Sequence, residues 1–213
     1  DRQKSSVYAF HTAIETGAFR FLFLTDLQAL KFSDTLIYRD LIAEAYGTYT
    51  DYAFSLITGD IVEAGTREAY WQWFTESYGN ILPVVSAVGN HEYQDNTGTI
   101  TSSAYYDAFF NNPQNGPETY LNQSYFLKYG DVLFVMIDVV TGIDLTSQQA
   151  WFQDVVTNNP AAYIIVGTHY SMYGTYHETQ SAEMEADWLN AFDQAGVDLV
   201  LSGHDHIYAR TAA

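Results

Sequence analysis

Five short apolar runs in this chain each stop at a polar cluster, and that repeated boundary constrains the fold more than any other feature. Residues 19–25 (FRFLFLT) stop at Asp26, residues 52–58 (YAFSLIT) at Gly59-Asp60, and residues 82–88 (LPVVSAV) at Gly89-Asn90-His91-Glu92. Residues 161–168 stop at His169, and residues 197–202 (VDLVLS) at Gly203-His204-Asp205-His206. Runs this short and this continuously apolar read as strands of a sheet covered on both faces.

Helical segments alternate with them. Residues 33–46 place Leu36, Ile37, Leu41 and Ala45 at helical spacing and end at Gly47. Residues 66–78 end at Gly79, and residues 181–195 close at Gly196. Thr146 and Gln149 fit a capping box opening a helix to residue 158. Residues 124–129 and 132–138, joined by Gly130-Asp131, read as a hairpin and add an antiparallel component. Residues 96–123 are rich in Asn, Thr, Ser, Pro and Gly and read as a long excursion with one short helix at 103–110. The pattern predicts an α/β fold, a two-sheet β-sandwich flanked by helices, in one domain spanning residues 1–213.

Bulk properties narrow the function. Twenty-six acidic residues against eight Lys and Arg give a formal net charge of −18. The basic footprint of a nucleic-acid binder is absent, and attraction to an anionic membrane is excluded on the same ground. With no cysteine there is no disulfide, thiolate metal site or cysteine nucleophile. No apolar run reaches the roughly 18 residues a membrane span needs. The first residues carry no signal-peptide core, so the expectation is a secreted or cell-surface protein with its leader removed, or alternatively a cytoplasmic one. The oligomeric state has no sequence signature.

In open α/β sheets, ligands bind beyond the carboxyl ends of the strands. The polar clusters therefore converge on one edge. Each alone has an ordinary explanation: an Asp after a strand is commonly a turn or cap residue, and a lone His is more often structural than a ligand. Together, Asp26, Asp60, Asn90, His169, His204 and His206 form a set of carboxylate, amide and imidazole donors suited to Zn, Mn, Fe or Co. Calcium and magnesium prefer all-oxygen shells. Glycines before Asp60, Asn90 and His204 are expected to let the backbone turn sharply and present the next side chain.

These residues resemble the calcineurin-like metallophosphoesterase family, whose motifs run Asp-x-His or Asp-x-Gly, Gly-Asp, Gly-Asn-His-Asp/Glu, a lone His and Gly-His-x-His. Here they stand as Asp26-Leu27-Gln28, Gly59-Asp60, Gly89-Asn90-His91-Glu92, His169 and Gly203-His204-Asp205-His206. The resemblance is strongest to the purple-acid-phosphatase-like bacterial branch. It implies two divalent or trivalent metal ions (Fe, Mn or Zn) and a small phosphate-ester substrate. It also implies a bridging role for Asp60, one site completed by Asn90, His169 and His204, and another holding Asp26 and His206. His91 would stand beside the scissile phosphate, with His177 a further substrate-facing candidate. Two cations about 3.5–4 Å apart make hydroxide available at neutral pH and offset phosphoryl charge during in-line attack.

Two departures matter. Gln28 replaces a metal-binding His or Gly, and Glu63 stands where the purple enzymes carry a tyrosine ligand. The site next to Asp26 is thus expected to use the Gln28 oxygen, Glu63 or water, and to hold its ion more weakly. Family members also usually continue past the last motif, which implies either a longer native chain or a short second sheet. The leading expectation is a phosphomonoesterase of the acid-phosphatase kind, with a phosphodiesterase or nucleotidase, and a catalytically weak metal-binding domain, as the alternatives. Arg210 is expected to pair with a carboxylate, His11 to lie on the surface, and Tyr93, Tyr170 and Tyr173 to line the pocket.

Overall fold

A computed structural model describes residues 12–78, 81–140 and 145–211. The first three strands, β1 (Arg20–Leu24), β2 (Tyr52–Thr58) and β3 (Val84–Ala87), form a parallel sheet in the order β1-β2-β3. The second sheet has the order β4-β5-β6-β7, with β4 (Tyr125–Tyr129), β5 (Val132–Met136), β6 (Tyr163–Gly167) and β7 (Leu199–Leu201). The β4–β5 pair is the antiparallel hairpin expected around Gly130, while β5–β6 and β6–β7 are parallel. The first sheet is connected by helices α1 (Phe32–Thr48) and α2 (Glu68–Ser77). Helices α5 (Leu145–Asn158) and α6 (Glu178–Ala195) flank the second.

The two-residue period of a strand explains the layering. Along β5, Val132, Phe134 and Met136 face Phe54 and Leu56 of β2, filling the space between the sheets. The alternate residues Leu133 and Val135 face Phe152 of α5 and Trp188 of α6. On β2, Ile57 turns the other way, toward Ile42 of α1 and Trp71 of α2. The result is a helix–sheet–sheet–helix sandwich with three apolar layers. Each fully buried Phe or Leu in them adds about 1.5–3 kcal/mol.

Several expected boundaries shift. Gly47 does not stop α1, which runs one residue further, to Thr48, and ends when Tyr49 turns extended with its N–H on the Ala45 carbonyl. The stop expected at Gly79 and the surface position of His11 lie outside the described residues. The helix expected to open at Thr146 already includes Leu145. Gly196 does close α6, at φ 68°, and Val197 N–H reaches back to the Phe192 carbonyl, satisfying end carbonyls without a Cβ clash. The excursion at 96–123 contains α4 (Ala104–Phe109) and a 3-10 turn at Glu118–Tyr120. One element went unread: Asn90–Tyr93 form a single helical turn, α3. No described helix is long and apolar enough to cross a membrane.

Candidate metal centre

The strand ends deliver their polar residues to one place. Asp60, His169 and His204 form one cluster and Asp26, Asp60 and His206 another, the ligating atoms in each within 4.8 Å of one another. Asp60 belongs to both. Asn90 joins the first, its Oδ1 3.1 Å from His169 Nε2. His169 Nε2 lies 3.2 Å from Asp60 Oδ2, and His206 Nε2 lies 3.5 Å from Asp26 Oδ1. Gln28 completes the second group. In the amide orientation that satisfies both of its ends, the nitrogen donates to the Asp60 and Asp26 carbonyls at 3.1 and 3.2 Å and the oxygen faces His206 Nε2 at 3.0 Å. The carboxylate of Glu63 is in neither group.

Backbone strain marks the same residues. Among the described residues, left-handed φ at a non-glycine position occurs at Asp26 (55°), Asp60 (51°), His204 (74°) and His206 (53°). Such positions cost about 1–3 kcal/mol each and persist where the surroundings over-determine them. The glycines contribute differently from expectation. Gly59 does take a left-handed φ of 91°, but Gly89 is extended at −109°. Its role is space: a Cβ there would meet Asp60 Oδ1, and one on Gly203 would meet Thr25 and Asp26 side chains.

Electrostatics fit a cation. Burial alone would pull the His169 imidazole down, but the charge and hydrogen bond of Asp60, then Asp26, outweigh it and push it up to about 9. Burial also opposes ionisation of Asp60, yet His169 holds its carboxyl below the ordinary range. Burial, His169 and His177 together bring His204 down to about 4, so it stays a neutral imidazole, the form that ligates. Its Nε2 is buried with no hydrogen-bond partner. A buried ring nitrogen without a partner, on a residue grouped with Asp60 and His169, calls for an ion, water or ligand group to complete it.

His91 sits at the rim. Its Nδ1 is 2.6 Å from the Glu63 carbonyl, to which it donates, so Nε2 faces Asp60 Oδ2 at 3.8 Å. The His177 ring lies 3.9 Å from that of His204, centroid to centroid, and Tyr170 packs on His204 at 4.5 Å. Tyr93 does not line the pocket: it is buried, with its hydroxyl donating to Asp138 Oδ2 at 2.6 Å. Tyr173 is half exposed. Arg210 is exposed and, among the described residues, forms no ion pair, so the expected carboxylate partner is not found there.

Two positioning carboxylates were not singled out from sequence. Glu92, fully buried, accepts the N–H groups of Asp60, Ile61, Val62 and Gly89 at 2.8, 2.8, 3.3 and 2.7 Å. Burial, then the charge of Asp60, pushes its carboxyl up to about 7, against the pull of those N–H groups. Asp205 accepts the N–H groups of Thr175, Tyr176 and His177, which hold its carboxyl low despite burial. The available signal was an acid within two residues of a candidate ligand.

Residues 19–208 match the family model described as calcineurin-like phosphoesterase. The chain is 27% identical over 183 residues to an uncharacterized protein of Mycobacterium tuberculosis, Rv2577, covering 74% of this chain and 34% of that one. It is 25% identical over 169 residues to purple acid phosphatase 18 of Arabidopsis thaliana (75% and 39%) and 29% identical over 170 residues to purple acid phosphatase 22 (75% and 39%). The chain thus spans little more than a third of the length of these relatives. Among solved structures, the fold is similar to that of GAP50, the anchor in the inner membrane complex of Plasmodium. The TM-score is 0.57 at 18% identity, covering 88% of this chain and 66% of that one. With two sheets, a shared aspartate at their strand ends and a family match over nearly all of its length, this chain belongs to the calcineurin-like phosphoesterases.

Proposed function

We propose that this chain, as one catalytic domain, is a metal-dependent phosphomonoesterase working with two ions. The observation that carries the reading is the sharing of Asp60 between two donor groups, one of which includes His204, a residue whose buried Nε2 has no hydrogen-bond partner. Asp60, Asn90, His169 and His204 would hold one ion, and Asp26, Asp60, His206 and the Gln28 oxygen the other. When bound, such a pair supplies an activated water and neutralises charge on the phosphoryl group. The chain's own residues do the rest. The Glu63 carbonyl fixes the His91 ring so that Nε2 is aimed across Asp60, where the protonated imidazole can donate to a phosphoryl or leaving oxygen. His177, stacked on His204, offers a second imidazole at the mouth. The acid phosphatases among its relatives support monoesters over diesters.

The test is release of p-nitrophenol from p-nitrophenyl phosphate by protein supplied with Mn, Zn or Fe. Asn90→Ala and His91→Ala should each lower kcat by at least about 100-fold. Absence of any metal-dependent turnover would sink the proposal. Faster hydrolysis of bis(p-nitrophenyl) phosphate than of the monoester would replace it with a phosphodiesterase.

A further inference from the structure

The residue between the two histidines of Gly203-His204-Asp205-His206 faces away from the donor groups, toward a different loop. Its carboxylate collects three successive backbone N–H groups: Thr175 on Oδ2 at 2.6 Å, Tyr176 on Oδ2 at 3.4 Å and His177 on Oδ1 at 3.2 Å. Those residues close the segment that leaves β6 after His169 and enters α6, where His177 is the N-cap. Further ties are Gly174 N–H on Ser181 Oγ at 3.0 Å, Ser181 N–H on the His177 carbonyl at 3.1 Å and the Thr168 hydroxyl on the Tyr170 carbonyl at 3.0 Å, and Gly174 leaves no room for a Cβ against Asp205 and Ser181. Tyr170 and Met172 pack against the apolar layer under α5 and α6, but the tip of the segment is open: Tyr173 is 50% and Tyr176 78% exposed. Residues 175–177, which place His177 over His204, are therefore fastened chiefly to the turn that carries His204 and His206.

We infer that Asp205 is a positioning residue: it clamps residues 175–177 to the ligand turn and so sets the His177 imidazole at the mouth of the site. This rests on the phosphoesterase reading for its effect on turnover, but not for the clamp itself. Charge-assisted hydrogen bonds to a carboxylate are among the stronger ones available to a loop. Because the clamp starts on the residue between two candidate ligands, ordering of that turn is passed directly to the loop.

A double-mutant cycle tests it on the metal-loaded protein with p-nitrophenyl phosphate. Asp205→Ala and His177→Ala should each reduce kcat/KM by about tenfold, and the double variant should be no worse than His177→Ala alone. Asp205→Asn keeps one acceptor oxygen and should fall between wild type and Asp205→Ala, which keeps the comparison available where the alanine variant folds poorly. Metal content per chain should match wild type in all variants. Amide exchange at residues 175–177 should speed up at least tenfold in Asp205→Ala and Asp205→Asn. Additive losses, metal loss in both Asp205 variants, or unchanged exchange would each overturn the inference. If the wild-type protein shows no turnover, the phosphoesterase reading fails, while exchange still decides whether Asp205 is the clamp.

Discussion

The two halves of the donor set share Asp60 and little else. In one half, the Asp60 and His169 side chains are 2% and 0% exposed; in the other, Asp26 is 8% exposed and His206 61%. The buried half sits in a lattice of fixed bonds. Glu92 gathers four N–H groups from the loops after β2 and β3, the Thr58 carbonyl holds His169 Nδ1, and Tyr93 ties α3 to Asp138 at the end of β5. The outer half rests on the Thr25 hydroxyl and the His204 N–H against Asp26, and on an amide facing an imidazole. Preorganisation, rather than the number of donors, separates the halves: the inner donors are held before any ion arrives, whereas an ion in the outer half must order His206 itself.

The severest way to break that comparison is to remove the centre of the lattice. Glu92→Ala leaves four buried N–H groups without an acceptor. Each such group costs about 1–3 kcal/mol, so a loss of at least about 4 kcal/mol is expected in denaturant unfolding with chelator present. Glu92→Gln keeps one acceptor oxygen and should lose about half as much. The inner ion should go with the lattice, read as metal content after dialysis. An alanine variant with wild-type stability and a tightly held inner ion would show that the donors place themselves.

A smaller effect tests how much the lattice costs the fold. Burial pushes the Asp138 carboxyl up to about 6, although the Tyr93 hydroxyl and Val140 N–H favour its ionised form. Its pKa in the fold exceeds the unfolded value, so its contribution is full below pH ~3.8 and is lost as pH rises through ~6. Asp138→Asn keeps an acceptor for Val140 and can donate to the Tyr93 oxygen, but does not titrate. The stability difference between variant and wild type should therefore move in the variant's favour by about 2–3 kcal/mol from pH 4 to pH 7. A flat difference across that range would mean that Asp138 is not a strained carboxylate.

The same contrast explains what could be read in advance. Apolar strands ending at Asp26, Asp60, Asn90, His169 and His204 were visible because burial on both faces leaves a continuous hydrophobic signature, and the polar residue that ends it must sit at the sheet edge. The hairpin was visible because its turn is local. Glu92 was not, because its role depends on N–H groups some thirty residues earlier, which meet it only once β2 and β3 pair. Asp205 escaped for the same reason, acting on a loop 28 residues away at His177. The glycines were misread in part: φ was the obvious constraint, while the crowding of Gly89 by Asp60 exists only in the folded sheet. Gln28 was legible as a weak donor from its chemistry alone.

That weakness gives the smallest prediction. Gln28→His would replace an amide oxygen facing His206 with an imidazole, a better donor to borderline metals. The substitution also breaks a bond from the Gln28 amide nitrogen to the Asp60 or Asp26 carbonyl, a loss of about 0.5–1.5 kcal/mol that offsets part of the gain. A net tightening of the outer ion by about tenfold is expected from chelator competition. The inner ion should be unaffected, because the shared Asp60 carboxylate is held by the Glu92-anchored backbone and the His91 N–H, and Gln28 touches no inner side chain but through the Asp60 carbonyl. If both ions tightened together, the halves would be one cooperative site with its strength set at Asp60. If neither changed, exposure of His206, and not the donor at position 28, would be what limits the outer half.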